Sequence, residues 1–454
     1  MSDKDVLRFL EELDAATPEY EKADAYFRGA PPEVVANPKL SALVGIDSED
    51  FKENYSAIPV KVMANRINLS GFTVPDSEPL TKLLNGVWEE SQMTLEFGGF
   101  IMDALKYGDA YLEVWIKEDK TADIFPAFTR TSRMIYSDSD MRIKEFFGKL
   151  SEVEVETVSG FKKVPKVTLK YPDRVETWYK PGDNDKEWVE YLEEGQTEWE
   201  INPFNEVPAF HFRNETPYGV AEHHDAYGAQ NQLIKIICNL MGVIDFAGLP
   251  ERWAIQESTS PQDSATYGMP GGDPANDPNY IGDDVSIGPG GISLLKAKAT
   301  GTYAVADVTQ FTNAKDSALM SMSALTDTPL RFFISPAGQH PAGDSLRAAD
   351  MPLVRKITNR QDMYGAALAE ALRFALVVMG TVDPETPVVR WAPQLMELDK
   401  EFLEMTQLKV ELGIPKRQAF LEAGYPEEQL DAWGFTEESP NGVTTTPDTD
   451  TKTQ

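Results

Sequence analysis

Large apolar residues recur every three, four or seven positions in several parts of the chain, the spacing of one face of an α-helix. This periodicity predicts helices at 4–27, 78–107, 219–247, 305–330 and 346–379. In the last of these the apolar stripe consists of Leu346, Leu353, Ile357, Tyr364, Leu368, Leu372, Leu376 and Met379. About 35 helical residues at roughly 1.5 Å each would span on the order of 50 Å. Such a length favours a helix that braces a larger assembly.

The long helix has recognisable boundaries in the sequence. Ser345 is a favourable N-cap, and Gly380 is a favourable C-terminal stop. The preceding segment, 335–344, contains glycines and prolines and is predicted to be a loop. Pro352 lies about two turns inside the helix, where it removes one backbone hydrogen bond and is expected to kink the rod.

Between 110 and 215 the apolar period changes to two, which predicts strands. Together with the helices this indicates an α+β protein whose β-rich part is a distorted barrel or a sandwich. The segment 257–291 is rich in Gly, Pro, Asp and Ser, which is typical of a flexible linker. Apolar residues within it and after it favour a small β-containing knob instead. Residues 396–434 are predicted to form short helices around Leu408–Leu412 and Lys416–Ala423.

The charge of the chain is its most unusual compositional feature. Its 454 residues include 42 basic and 74 acidic ones, a net charge of −32. Proteins that grip phosphates normally carry the opposite sign. Two interpretations remain: an ordinary soluble acidic surface, or a surface that meets DNA without holding it. Cys238 is the only cysteine, and no signal peptide or membrane-spanning run is apparent, so we expect assembly in a reducing cytoplasm.

Two groups of residues resemble chemical sites. His223, His224 and Asp225 are adjacent, but neighbouring helical side chains point about 100° apart, which favours structural roles over a shared metal ion. The acidic run 183–187 resembles the start of a calcium loop, yet Trp188 occupies the position that needs glycine. No Gly-x-Ser-x-Gly elbow or Walker loop is present. An acidic metal-dependent hydrolase or nuclease remains as an alternative function.

Several segments resemble a known family. Ser345-Leu346-Arg347-Ala348-Ala349-Asp350, with the loop before it, is similar to the tunnel loop and long helix of portal proteins from long-tailed, siphophage-type bacteriophages. Asn54-Tyr55, Tyr107-Gly108-Asp109-Ala110-Tyr111 and Asn205-Glu206-Val207-Pro208-Ala209-Phe210 resemble other parts of that family. The matches occur in order and cover roughly residues 1–435.

The resemblance implies a division of the chain. The implied parts are a wing at 1–216, a stem helix at 217–248, a clip at 249–303, a second stem helix at 304–332, a tunnel loop at 333–345, a long wing helix at 346–395, a crown at 396–435 and a disordered tail at 436–454. This corresponds to a portal-type α+β subunit with a mixed α/β wing, a helical stem, a small β-containing clip and a helical crown.

The resemblance also implies a function and a set of contacts. The subunit would not be an enzyme and would need no cofactor, although divalent cations could bind. It would form a ring, implied to be a dodecamer, at one capsid vertex of the virion, through which double-stranded DNA is packaged and ejected. The implied partners are the large terminase, head–tail connector or adaptor proteins, and the major capsid and scaffolding proteins. Another minor capsid or connector protein is the second alternative.

Candidate site residues follow from the same resemblance. The residues expected to line the DNA channel in the tunnel loop are Gly338, Gln339, His340, Gly343, Asp344 and Ser345. The residues expected to contact DNA or a neighbouring subunit are Lys296, Lys298, Lys315, Arg331 and Arg347.

Overall fold

The structure is a computed structural model. It describes residues 3–30, 53–157, 160–181, 187–192, 199–248, 252–256, 297–302, 307–334, 343–392, 400–422, 430 and 433–435. Helices and strands both contribute to the fold, so the α+β class is confirmed.

The helices follow the chain in the order α1 Lys4–Arg28, α2 Ala57–Ala64, α3 Glu78–Glu90, α4 Met93–Tyr107, α5 Tyr227–Gly248, α6 Val308–Leu325, α7 Gly343–Val378, α8 Lys400–Glu411 and α9 Lys416–Glu422. The prediction of one helix at 78–107 is wrong. It is two helices, because Gln92 adopts a left-handed φ of 58° between them.

Two further helix boundaries differ from the predicted ones. Helix α5 begins at Tyr227 rather than near 219, after a 3₁₀ turn at His224–Ala226. Helix α7 begins at Gly343, so the predicted N-cap at Ser345 is wrong. At the other end, Gly380 has a φ of 88°, and the Thr381 N–H donates to the Leu376 carbonyl at 3.0 Å. The predicted glycine stop is therefore confirmed.

The strands are β1 Leu69–Thr73, β2 Asp109–Ile116, β3 Ala122–Ala127, β4 Ser132–Tyr136, β5 Lys144–Thr157, β6 Gly160–Lys170, β7 Arg174–Tyr179, β8 Val189–Glu190, β9 Glu200–Ile201, β10 Ala209–Arg213, β11 Arg252–Gln256, β12 Ala297–Thr302 and β13 Val388–Trp391. They form antiparallel sheets in the orders β10-β2-β3 and β4-β5-β6-β7-β8, with β9 also on β7. The pairs β1-β13 and β11-β12 form two small sheets.

The β-rich region consists of two packed sheets rather than one closed barrel. Tyr111 of β2 and Ala127 of β3 share a buried cluster with Met134 of β4 and Phe147 of β5. Helix α1 covers the larger sheet and packs Phe9 against it. Gly148 of β5 permits this close approach, because a Cβ there would lie 2.2 Å from the Phe9 ring.

The main core forms around α7. Its predicted stripe is confirmed where side chains are described, because Leu353, Ile357, Tyr364, Leu368, Leu372 and Leu376 are all fully buried. Phe100 of α4 and Phe212 of β10 join the same cluster and meet edge to face with ring centroids 4.7 Å apart. Thus the long helix is a central element of the main core rather than a rod on its surface.

Candidate functional site at the helical junction

Helices α5 and α6 lie side by side and join the rest of the protein at one end. Small and medium apolar residues make their contact: Ala229 and Leu233 of α5 pack with Ala318, Leu319 and Met322 of α6. The chain just before α5 and the chain just after α6 both contact α7. We use the name helical junction for the residues that make these contacts: Arg66, Glu222, Thr326, Arg331, Asp350, Lys356 and Arg360.

Glu222, just before α5, is the centre of the first contact. Its side chain is 2% exposed, and Lys356 Nζ lies 3.0 Å from its Oε2. The Arg360 guanidinium donates to Oε1, and Asn214 Nδ2 donates to the same oxygen at 3.0 Å. Burial acts to raise the pKa of Glu222, but the two cations and these hydrogen bonds outweigh it and lower the pKa. The carboxylate therefore stays ionised and ties the start of α5 to α7.

A second set of contacts joins the end of α6 to α7. Arg331 lies 2.5 Å from Asp350 Oδ2, and Arg66 approaches the same oxygen at 3.9 Å. Lys356 Nζ also donates to the Thr326 carbonyl at 3.3 Å. Both helices of the pair are thus held by one stretch of α7, from Asp350 to Arg360.

Pro352 lies inside this stretch. It is within α7, between Asp350 and Lys356. Since proline has no N–H, the helix lacks one hydrogen bond between its two sets of ionic contacts. The predicted kink stays a prediction. Pro352 lies between the end of α7 near the predicted tunnel loop and the part of α7 that is buried in the main core.

The chain that leads into α5 is attached to the β-rich region through Asp109. Its Oδ1 accepts from the Gly219 N–H at 2.7 Å and from His211 Nε2 at 2.8 Å, and its Oδ2 accepts from the Tyr20 hydroxyl at 2.7 Å. Arg133 lies 3.5 Å from the same Oδ2, and both side chains are almost fully buried. Burial opposes ionisation of Asp109, but His211, Gly219 and Arg133 together lower its pKa.

The backbones of Gly108 and Gly219 cross at this attachment. A Cβ on Gly219 would lie 2.0 Å from the Gly108 carbonyl oxygen. Gly108 also has a φ of 85°, which glycine adopts without strain. The close crossing brings the chain that leads into α5 within hydrogen-bonding distance of the buried Asp109.

The predicted tunnel-loop residues are only partly described. Gly338, Gln339 and His340 lie outside the described residues. Gly343, Asp344 and Ser345 form the first turn of α7, and Arg347 follows them; only the backbone is described there. The assignment of these residues to a DNA channel stays a prediction.

The predicted basic contacts fall into two groups. Lys296 lies outside the described residues, and only the backbone of Lys298 is described, in β12. Lys315 Nζ lies 2.7 Å from Glu53 Oε2, and Arg331 pairs with Asp350 as described above. In the single chain, therefore, Lys315 and Arg331 each already face a carboxylate. Contacts of these residues with DNA or another subunit stay predictions.

The histidine pair has separate surroundings. His223 is buried, with Nε2 2.9 Å from the Ala23 carbonyl, and burial lowers its pKa to about 4. His224 is half-exposed beside Asp225, at 3.2 Å. Over the residues that the structure describes, no three His, Cys, Asp or Glu side chains are grouped to hold a metal ion. Within the same residues, no helix combines the length and apolarity needed to cross a bilayer. The acidic residues 183–186 lie outside the described part.

Sequence reasoning singled out Arg331 and, inside a resembling segment, Asp350, but it missed the other residues of the junction and the burial of its acids. Glu222 and Asp350 are ordinary acids in a chain with 74 of them, and nothing local marks them as buried. Asp109 was noticed only inside a resembling segment. His211, which binds Asp109, lies within a strand of mostly apolar residues. Nothing in that pattern indicates a charged neighbour 102 positions away.

Comparison with known proteins identifies the family to which the chain belongs. A family model described as "Phage portal protein, SPP1 Gp6-like" matches residues 12–429. The chain therefore belongs to this family of phage portal proteins, and the suspected resemblance is confirmed.

Two curated relatives carry the same description. The portal protein of Mycobacterium phage D29 is 21% identical over 353 residues, and that of Mycobacterium phage L5 is 21% identical over 352 residues. Each match covers 73% of this chain and 66% of the relative, so the chain spans slightly less than two thirds of their length.

Solved structures with a similar chain come from gene transfer agent (GTA) particles. The neck of an empty GTA particle, computed with C6 symmetry, has 15% identity and a TM-score of 0.43, covering 83% of this chain and 92% of that one. The virion of a native particle has 16% identity and a TM-score of 0.41, covering 90% and 99%. With TM-scores below 0.5, we draw nothing about this chain from them.

Proposed function

We propose that this chain is a portal subunit. Identical copies form a ring at one capsid vertex, and the viral genome enters and leaves the capsid through the central channel. The observation that carries this proposal is the portal family match over residues 12–429. The chain acts as a structural protein. Family membership, and not a missing catalytic cluster, is the reason to prefer this function over the hydrolase and nuclease alternative.

The proposed division of the subunit follows the order of the elements. Residues 1–216 and 346–395 form the wing, 217–248 and 304–332 the stem, 249–303 the clip, 333–345 the tunnel loop and 396–435 the crown. The pairing of α5 with α6 supports the stem, and the β11-β12 pair supports the β-containing clip. In this division the helical junction is the connection between stem and wing.

The acidic charge suits a channel that does not bind its cargo tightly. Affinity for DNA comes mainly from cations that displace counterions, and this chain has a large excess of acids, with a net charge of −32. A weakly repulsive wall lets a polyanion slide. Neighbouring subunits would then be held by apolar contacts, local ion pairs and screening cations, including bound divalent ions.

The proposed partners follow from the proposed role in the virion. The clip docks the large terminase during packaging and head–tail connector proteins afterwards. The wing and crown face the major capsid protein, the scaffolding protein and the packaged double-stranded DNA. The ring assembles in the host cytoplasm before it enters the capsid.

The decisive experiment measures mass and shape together. Purified protein should give particles near twelve times the 50.5 kDa chain mass, and negative-stain images should show a central hole. Single copies under every ionic condition, with no annular particles, would contradict the proposal. A ring of a different subunit number would leave the portal role in place and correct the stoichiometry.

A variant at Pro352 tests the role of the junction in packaging. Pro352→Ala restores a hydrogen-bond donor between the two sets of ionic contacts. We expect it to slow DNA packaging more than it changes ring stability. The conservative exposed change Asp362→Asn, later in the same helix, serves as the control. A variant that packages normally but forms weaker rings would contradict this role.

A further inference from the structure

Strands β5 and β6 extend beyond the sheet to which they belong. β4 pairs only with the start of β5, at 144–149, and β7 pairs only with the end of β6, at 166–170. From Glu152 to Val155 and from Lys162 to Val164, the two strands pair with each other alone within the described residues, and at the base of this stretch the Pro165 carbonyl already accepts a hydrogen bond from the chain after β7. We refer to this part as the distal ribbon. A two-stranded ribbon is marginally stable in water, so a third strand beside it would stabilise it.

The direction of the backbone groups at both edges of the ribbon can be read from one hydrogen bond. The Lys180 N–H donates to the Pro165 carbonyl at 3.0 Å, so the Pro165 backbone points away from β5. Along a strand of an antiparallel ladder, the backbone N–H and C=O groups point alternately towards the partner strand and away from it. Two residues directly opposite each other either both point towards the partner strand or both point away from it. Glu152 lies opposite Pro165, and Glu154 lies opposite Lys163. Both glutamates therefore present N–H and C=O groups on the outer edge of β5, and Lys163 presents its own on the outer edge of β6.

The two edges carry opposite charge. Glu152 and Glu154 on β5 are exposed, as is Lys163 on β6, and the half-buried Lys166 follows on the same strand. Lys166 Nζ also lies 5.1 Å from the centre of the Tyr191 ring. Lys162 already interacts within the chain, so we assign no neighbour to it. A concentration of lysines on one strand is notable in a chain whose net charge is −32.

We propose that the outer edge of β5 in one subunit pairs with the outer edge of β6 in the next, which makes the sheet continuous across the subunit boundary. The occupant is a second copy of this chain, so the inference rests on the proposed ring. The two strands of the ribbon are antiparallel. Copies related by rotation about the ring axis therefore present β6 antiparallel to the neighbouring β5, as it is inside each ribbon.

Charge complementarity favours this pairing over other contacts between acidic chains. Glu154 would lie between Lys163 of its own chain and the same residue of the neighbouring copy. In the same register Glu152 would face the neighbouring copy's Pro165, as it faces Pro165 within its own ribbon. Oppositely charged residues side by side on adjacent strands stabilise a sheet, whereas like charges destabilise it. The contact is head-to-tail, since one face of the interface is acidic and the other basic.

A charge-swap experiment tests the pairing. The variant Glu152→Lys/Glu154→Lys makes both edges basic, and the variant Lys163→Glu/Lys166→Glu makes both edges acidic. We expect each alone to need about tenfold more protein for half-maximal ring assembly, equivalent to about 1.4 kcal/mol. An equimolar mixture should restore assembly, because every boundary in an alternating ring then joins opposite charges. The quadruple variant should restore it as well.

The control variant has the same change in charge at a different position. Glu118→Lys/Asp119→Lys adds the same charge in the exposed turn between β2 and β3. It should assemble like the unmodified protein, and all variants should keep its circular dichroism spectrum. If the swapped variants assemble alone as well as the unmodified protein, the inference is wrong and the ring proposal stands. If the unmodified protein forms no ring, the proposed function fails instead.

Cross-linking provides a second measurement that does not depend on the size of the electrostatic effect. Glu154→Cys and Lys163→Cys are made in separate chains, and oxidation of the mixture should give covalent dimers between the two variants. The unmodified protein, whose single Cys238 is buried, should give none. Rings that form from the mixture without this cross-link would overturn the pairing. Loss of DNA binding by the Lys163→Glu/Lys166→Glu variant with normal assembly would assign these lysines to DNA instead.

Discussion

The proposed wing and the helical pair α5–α6 differ in how they bury their residues. In the wing, even charged groups are enclosed with their partners: the Glu113 side chain is 1% exposed between Lys149 at 2.8 Å and Lys170 at 2.6 Å. The helical pair is narrow and buries one face of each helix. On its outer faces Met320 and Leu325 of α6 are 54% and 56% exposed.

The proposed wing packs a continuous core around its buried ion pairs, so we expect it to fold without partners. Exposed apolar residues occur in both regions, so exposure alone does not distinguish them. In the proposed ring, Met320 and Leu325 would face the neighbouring helical pair, and assembly would complete the proposed stem.

The largest expected effect lies in the buried network of the wing. Asp109→Ala leaves Arg133 buried without its carboxylate, and breaking such a pair costs about 3–5 kcal/mol. The free energy of unfolding, measured by urea denaturation of the single chain, should fall by that amount. Glu118→Ala, at an exposed carboxylate, should change it by about 0.5 kcal/mol or less. A small loss at Asp109 would mean that the wing does not depend on this network.

Acidification should weaken the boundary between the two regions. Burial holds the pKa of His223 at about 4, while in the unfolded chain it is about 6.5. Protons therefore bind the unfolded chain first, and stability present above pH 6.5 is lost as pH falls towards 4. The loss attributable to His223 should be up to about 3 kcal/mol.

Urea denaturation at several pH values measures this loss. In the variant His223→Gln, the free energy of unfolding should depend less steeply on pH. Burial also lowers the pKa of His211, although Asp109 opposes the shift, so part of the slope should remain in the variant. A profile that is identical in variant and unmodified protein would show that His223 is accessible to protons in the folded chain.

Substitutions on the outer face of the helical pair should weaken ring assembly and should have little effect on the stability of the single chain. Met320→Ser/Leu325→Ser should change the free energy of unfolding by about 0.5 kcal/mol or less, as for other surface changes. The same variant should raise the protein concentration needed for rings, measured by analytical ultracentrifugation. Leu319→Ala, buried in the same helix, should instead cost the chain about 2–5 kcal/mol. Unchanged ring assembly in the double variant would contradict the role of this face.

The smallest effect is expected at a partly exposed ion pair of the helical pair. Lys315 and Glu53 are 25% and 50% exposed, and such pairs contribute about 0.2–1 kcal/mol. Lys315→Ala should lower the free energy of unfolding by about 0.5 kcal/mol or less. A matched measurement of DNA packaging separates a stabilising role from contact with phosphate, because only the latter would change packaging at equal stability.

Much of the secondary structure was predictable because it depends on local periodicity. The stripe of α7, the helix α1, the strands after Gly108 and the glycine stop at Gly380 all follow from spacings of two, three or four residues. The break at Gln92 was not predictable, since the apolar period of α3 continues into α4 and only the backbone conformation interrupts it. The start of α5 was misplaced because 219–226 contains residues that tolerate a helix but adopt turns there.

The sequence by itself determined the family, the α+β class and the length of the central helix, because residues a few positions apart decide each of these. Only the tertiary structure decided which acids are buried and what they bind. Glu222 meets Arg360 across 138 positions, and Asp109 meets His211 across 102. Such pairs arise from the packing of whole elements, and in a chain with 74 acidic residues no local pattern distinguishes the few that are enclosed.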